Sequence, residues 1–207
     1  MKNLYRVLLV VCSLALPGMV AAAPITIVSQ ADTWDYNFGA SFGAGGAGSV
    51  SFSDFTSGYT GASNGQAAFG NTHVAGAPYN TYWLANNSLF MQKVVNLAGV
   101  LTGTTTLNLA VDNGAAVWIN GNLAFQASAG GFTSIWEYSN SVSNAFFVNG
   151  LNTISVIAND YGGGTYFDME LTGDLVPSVP EPSILILLGC GLLGFGLRRK
   201  RLTRFAA

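Results

Sequence analysis

The chain is poor in residues that do covalent chemistry. Its one histidine, His73, sits in a Gly/Ala/Asn stretch, and its two cysteines, Cys12 and Cys190, lie inside apolar runs near the two ends. A Ser-His-Asp triad needs a histidine held by an acid and touching a nucleophile, and nothing in the sequence around His73 announces either. A zinc site needs several His or Cys ligands, which the sequence lacks. Oxygen chemistry remains. Asp160, with Asn159 before it and the flexible Tyr161–Gly164 backbone after it, is the first candidate for a structural calcium; Asp168 and the Asp112-Asn113 pair come next. Carboxylate and carbonyl oxygens suit a hard cation in an exported protein. The spacing is not that of an EF-hand, and Asp112 and Asp160 equally suit the capping of tight turns. Asp168 and Glu170 are two apart and would share a strand face. They could serve as the carboxylate pair of a glycosidase, although a solvated strand face explains them as well.

Aromatic rings are the second chemical resource. Trp and Tyr combine an apolar face with a polar tip, which suits stacking on the C–H faces of sugars. Trp136, Tyr138 and Tyr161 lie near predicted loops and are the preferred glycan candidates. Trp118 opposes its neighbours Val117 and Ile119 on a strand. It is on a sheet face if they point to the core, and buried if the register is reversed.

These residues must be positioned by strands. Sustained helical periodicity is absent, while Val, Thr, aromatics, Gly and Asn abound. Strands are expected at Ile25–Ser29, Asn87–Asn96, Thr104–Val111, Ala115–Ile119, Leu123–Gln126, Glu137–Phe147, Thr153–Ala158 and Tyr166–Leu171, with a further short one at Ser49–Phe52. Leu107 and Leu109 share one face, as do Ile154, Val156 and Ala158. Asp112-Asn113-Gly114 and Asn120-Gly121 are tight-turn signals. Gly39–Gly48 is a flexible loop without the basic residue of a phosphate cradle, and Ser57–Pro78 is expected to hold a long surface loop. The fold class expected is all-β, an antiparallel β-sandwich.

Charge narrows the partners. Residues 24–178 carry nine carboxylates and one cation, Lys93, a net charge of about −8 hidden by a whole-chain value of −2. Such a body has no means of gripping phosphate backbones, so nucleic acid is excluded as a partner. Anionic membrane surfaces are poor partners for the same reason.

The two ends carry the remaining charge and a different pattern. Lys2 and Arg6 precede the apolar run Val7–Leu16, and Ala21-Ala22-Ala23 follows Pro17-Gly18. This is the layout of a secretory signal peptide, with Pro24 or Ala22 as the first mature residue. At the other end stand Val179, Pro180, Glu181, Pro182 and Ser183, then the uncharged run Ile184–Leu197, then Arg198-Arg199-Lys200-Arg201. The prolines hold their triplet extended. The run would span roughly 21 Å as a helix, against a hydrocarbon core of about 30 Å, so Leu202 and Phe205 would have to extend it. The basic cluster would stay cytoplasmic. Three segments are expected: a signal peptide (1–23), a β-sandwich (24–178) and a sorting segment (179–207) with a transmembrane helix at 184–197. Both cysteines fall in the end segments.

This tail resembles the PEP-CTERM sorting signal of bacteria. The resemblance covers about the last 30 residues and rests on Val179-Pro180-Glu181-Pro182-Ser183, the glycine-bearing apolar segment and the basic end. It implies cleavage by an exosortase, transient anchoring in the inner membrane, and an envelope rich in exopolysaccharide. The body, over about Tyr82–Gly173, resembles galactose-binding-like jelly-roll domains through Leu107–Gly121 (LNLAVDNGAAVWING) and Phe146–Asp160 (FFVNGLNTISVIAND). That resemblance implies architecture more than activity. The expected product is a non-catalytic structural or adhesive component of the envelope or extracellular matrix, associated with exopolysaccharide. The alternatives are a secreted carboxylate-dependent hydrolase and a ligand-free surface scaffold.

Overall fold

The alternating apolar residues form strands, and the strands form two facing sheets. The computed structural model describes residues 21–71, 78–128, 131–132 and 134–178. The strands are β1 (Ala23–Val28), β2 (Thr33–Ala40), β3 (Ser63–Gln66), β4 (Phe69–Gly70), β5 (Thr81–Tyr82), β6 (Asn87–Leu97), β7 (Gly99–Asp112), β8 (Gly114–Ile119), β9 (Asn122–Ser128), β10 (Tyr138–Val142), β11 (Gly150–Asn159) and β12 (Tyr166–Pro177), with one helix, α1 (Phe52–Gly58). One sheet runs β10-β7-β12-β4-β5, with β1 also paired to β12; the other runs β3-β2-β6-β11-β8-β9. Every pairing is antiparallel except β4 with β5.

The core lies between the sheets. Leu107, Leu109, Phe167, Met169 and Leu171 come from the first; Trp34, Leu89, Met91, Val117, Ile119, Ile154 and Val156 come from the second. Each such side chain, fully buried, contributes roughly 1.5–3 kcal/mol. The inward set 107/109 and 154/156/158 is the one the alternation predicts.

Three expectations are corrected. Ser49–Phe52 is not a strand. Ser51 caps α1, accepting from the Asp54 amide while the Asp54 carboxylate accepts from the Ser51 amide, a reciprocal cap that stabilises a short helix. The described part of Ser57–Pro78, residues 57–71 and 78, holds the end of α1 and the short strands β3 and β4, while residues 72–77 of that expected loop lie outside the described residues. Asp112-Asn113-Gly114 does not close a hairpin. It carries the chain from β7 in one sheet to β8 in the other. The Asn113 amide donates to the Asn159 carbonyl (2.9 Å), so β11 of the second sheet captures the chain as it turns. Asn120-Gly121 does make a hairpin, joining β8 to β9 with φ of 50° and 80°, as a type I′ turn requires. β2 carries no expectation from the sequence, although it supplies Trp34 to the core.

The sandwich has two distinct ends. Asp112 pairs with Tyr166 at one; Gly99 pairs with Pro177, Ala23 with Leu175 and Leu97 with Gly150 at the other. β12 has 12 residues, so the ends stand roughly 40 Å apart at about 3.3 Å per residue. Residues 1–20 and 179–207, which include the sorting-motif residues Val179–Ser183 and nearly all of the expected leader, lie outside the described residues, as does His73. Among the described residues no helix is long and apolar enough to cross a membrane.

Candidate functional site at the loop end of the sandwich

The end of the sandwich away from Pro177 gathers Asp112, Asn113, Asp160 and Tyr161. The sheet-to-sheet crossing places Asp112 and Asn113 there. Gly114 permits it, because a Cβ would lie 2.7 Å from the Ala127 carbonyl oxygen and 2.9 Å from the Ala47 Cβ. The glycine of this turn signal therefore serves close packing, not a left-handed backbone. Asn113 accepts from the Tyr161 amide through Oδ1 (3.1 Å) and ties the crossing to the loop after β11.

Asp160 is fully buried. Its Oδ2 accepts from the amides of Asn86 (2.6 Å) and Gly162 (3.0 Å), and its carbonyl accepts from the Ser41 hydroxyl (2.6 Å). Its Oδ1 has no hydrogen bond, and neither does Oδ1 of Asp112; both atoms are buried. Burial raises the Asp112 pKa to about 6, the Asp160 charge adds to the shift, the Phe132 amide opposes it, and Glu137 adds further. A buried carboxylate oxygen without a partner is costly. Two of them acting on one another invite a proton or a cation. Lys93, the single cation of the described residues, is committed elsewhere, 2.9 Å from Asp32.

The donor set is all oxygen, which fits a hard cation and not zinc. Among the described residues no three His, Cys, Asp or Glu side chains converge on one point. A calcium at Asp112 and Asp160 would therefore need backbone carbonyls and water for its remaining ligands.

The other candidate residues disperse. Asp168 is buried on the outer face of the first sheet, where its Oδ1 accepts from the amides of Met169 (2.9 Å) and Ala31 (3.5 Å). Burial raises its pKa to about 6, against hydrogen bonds from Met169, Ala31 and Gln30. It anchors the turn between β1 and β2 and shares no partner with Asp112 or Asp160. Glu170 follows on the same strand, accepting from Asn108 (3.2 Å). Trp118 follows a third course. Val117 and Ile119 face the core, so Trp118 is on the outer sheet face, yet only 3% of it is exposed. Helix α1 covers it, with Phe52 and Phe55 rings centred 5.9 and 6.2 Å away. Tyr138 is half-buried against Phe125, rings 5.0 Å apart. Trp136 is half-buried at φ 58°. Glu137, between those two, is near enough to act on Asp112, so their segment borders the same end. Tyr161 is 36% exposed beside Asp160.

Sequence reasoning missed Asn86 and Leu84, and did not set Tyr82 apart from the other aromatics. Asn86 holds Asp160 from φ 60°, a conformation Asn tolerates better than most residues, so the Asn86-Asn87 pair before β6 was a usable signal. Tyr82 and Leu84 are 55% and 54% exposed in the chain leading to Asn86; no alternation marks them.

No curated protein matches the sequence. Among solved structures the fold is similar to the PA14 domain of the MpAFP antifreeze protein, at 14% identity over 79% of this chain and 93% of that one, TM-score 0.40. It is similar to a family 35 carbohydrate-binding module from Clostridium thermocellum, at 18% identity over 73% of this chain and 98% of that one, TM-score 0.33. It is also similar to part of a Streptomyces avermitilis alpha-L-rhamnosidase solved with L-rhamnose, at 18% identity and TM-score 0.33, covering 41% of this chain and 9% of that chain. TM-scores this low carry no weight for function. The tail is more specific: residues 178–201 match the family model described as the PEP-CTERM protein-sorting motif, so the chain ends in a PEP-CTERM sorting signal, which implies export and surface sorting through an exosortase.

Proposed function

We propose that the sandwich is a non-catalytic structural or adhesive module of the cell envelope or extracellular matrix, exported by its leader, held transiently at the inner membrane by its tail, and associated with exopolysaccharide once cut. On this reading the fold is a jelly-roll of the galactose-binding-like type. The loop end binds glycan weakly, with calcium at Asp112 and Asp160 ordering the loops and Tyr161 offering its ring beside them. The observation that carries the site is the pair of buried, unpaired carboxylate oxygens next to an exposed tyrosine. The lack of cations favours a neutral glycan over an anionic one.

The test is retention of the exported protein on neutral polysaccharides, with calcium and with chelator. Binding that needs calcium and is lost in Tyr161→Ala supports the reading. Equal retention of both proteins under both conditions, or release of reducing ends from the polysaccharide, overturns it.

A further inference from the structure

The outer face of the first sheet carries a shallow pocket of about 250 Å³, lined by Pro24, Thr26, Thr104, Thr172, Gly173 and Asp174. A bulge makes it. Thr106 pairs with Thr172 and Thr102 with Asp174, so Gly103, Thr104 and Thr105 of β7 stand opposite Gly173 alone. A bulge bends its strand and re-aims side chains. This one is braced: the Asn144 side chain donates to the Gly103 carbonyl (3.1 Å) and accepts from the Thr105 hydroxyl (2.6 Å). Gly103 has φ of 64°, and a Cβ there would lie 3.0 Å from Asp174 Oδ2, so the glycine leaves the carboxylate clear. Pro24 pairs with Asp174 and Thr26 with Thr172, which puts all four side chains on one sheet face.

The polar groups of the pocket are unspent. Cross-strand threonines can hydrogen-bond one another. Yet among the described residues no hydrogen bond or ion pair engages the side chains of Thr26, Thr104, Thr172 or Asp174; Asp174 accepts from the Thr102 hydroxyl through its carbonyl, not its carboxylate (3.4 Å). The hydroxyls continue across the sheet, since Thr172 pairs with Thr106 and Thr106 with Ser141, one about every 4.8 Å.

These groups select a ligand. β12 is paired on both sides here, to β1 and β7, so no free backbone edge can add a peptide strand. Among the described residues lining the pocket there is no cation, and Asp174 repels anions. A hydroxyl donates and accepts, whereas a carboxylate only accepts. Their complement is dense in hydroxyls and carries no negative charge. The volume falls below the roughly 300–1,000 Å³ of sites for drug-sized ligands, which suits one sugar ring.

We infer that this pocket is a glycan subsite, receiving one residue of a neutral polysaccharide whose chain continues over Thr106 and Ser141. Asp174 accepts from the sugar hydroxyls, the three threonines exchange hydrogen bonds with them, and Pro24 offers its ring to C–H groups. The site stands apart from the loop end: Thr172 is six residues along β12 from Tyr166, the partner of Asp112, or roughly 20 Å. Two weak contacts to one polymer would add avidity.

Amide spectra of the isotope-labelled exported protein read the two sites separately. The probes are maltohexaose, laminarihexaose and mannohexaose, each titrated with calcium and with chelator. At least one should shift the amides of Thr104, Thr172 and Gly173 in both conditions, and an oligogalacturonate should not. Asp174→Ala, and a T26V/T104V chain that keeps side-chain volume, should each weaken that response about tenfold, as the loss of hydrogen bonds to the sugar requires; unchanged peaks elsewhere report an intact fold. Overturning results are no shift at 104, 172 and 173 with any of the three sugars, an equal response to the anionic oligomer, or unchanged affinity in both variants. Shifts confined to Asn113 and Gly162 overturn the subsite and leave the loop end standing. Shifts confined to the pocket support the subsite and remove the loop end.

Discussion

Asp160 acts electrostatically on Asp112, and each keeps one buried Oδ1 that no hydrogen bond satisfies. The two residues are 48 positions apart in sequence, at the ends of strands in different sheets. Their meeting is a product of the crossing at Asn113, whose side chain also ties down Tyr161.

Calcium should therefore raise the melting temperature of the exported domain, and chelator should lower it. Asp112→Asn should abolish the calcium response while leaving the metal-free form as stable or more so, by on the order of 1 kcal/mol, since it removes a half-exposed charge facing Asp160. Calorimetry with and without calcium decides. An identical midpoint in both conditions removes the ion.

The pH dependence follows from the raised carboxyls. Burial pushes the carboxyls of Asp112 and Asp168 up to about 6 from the ordinary aspartate value of 3.8. Between these values the folded state binds more protons than the unfolded state, so stability falls as pH rises from about 4 through about 6. The buried Asp168 should contribute on the order of 2 kcal/mol, and Asp112 less. Asp54, whose pKa is lowered by the Ser51 cap, works the other way at more acidic pH. Metal-free melts at pH 4, 5, 6 and 7 should show a declining midpoint, flattened in Asp168→Asn.

Trp118 and Tyr161 should separate stability from binding. Trp118→Ala removes a ring buried under α1 and should cost about 3–5 kcal/mol without a specific effect on glycan affinity per folded molecule. Tyr161→Ala should change stability by less than about 0.5 kcal/mol and reduce retention on polysaccharide. Urea melts and affinity electrophoresis measure the two effects separately.

Gly114→Ala should destabilise by about 1–3 kcal/mol, because the new methyl meets the Ala127 carbonyl backbone and Ala47 rather than a side chain that can swing away. Gly163→Ala tests the opposite case: it has open space but φ of 90°, so its cost is conformational and smaller. Chemical denaturation of the two variants gives the contrast.

The sequence by itself determined what depends on near neighbours. Composition and alternation placed β6, β7, β8, β11 and β12, and alternation chose the inward residues of β7 and β11, because a strand's two faces are set by parity alone. Asn120-Gly121 declared its hairpin because that turn needs two left-handed residues in a row. The order of proline pair, apolar run and cations declared the sorting motif. The tertiary structure decided where one local pattern admits two outcomes. Asp112-Asn113-Gly114 would serve a hairpin or a passage between sheets, and the competing strand β11, far along the chain, settled it. Trp118 was free to face outward, and a seven-residue helix with too few turns to show a period covered it. Asp112 and Asp160 carry no mark of one another in sequence, because their electrostatic coupling is a property of two sheets closed face to face and of no single segment.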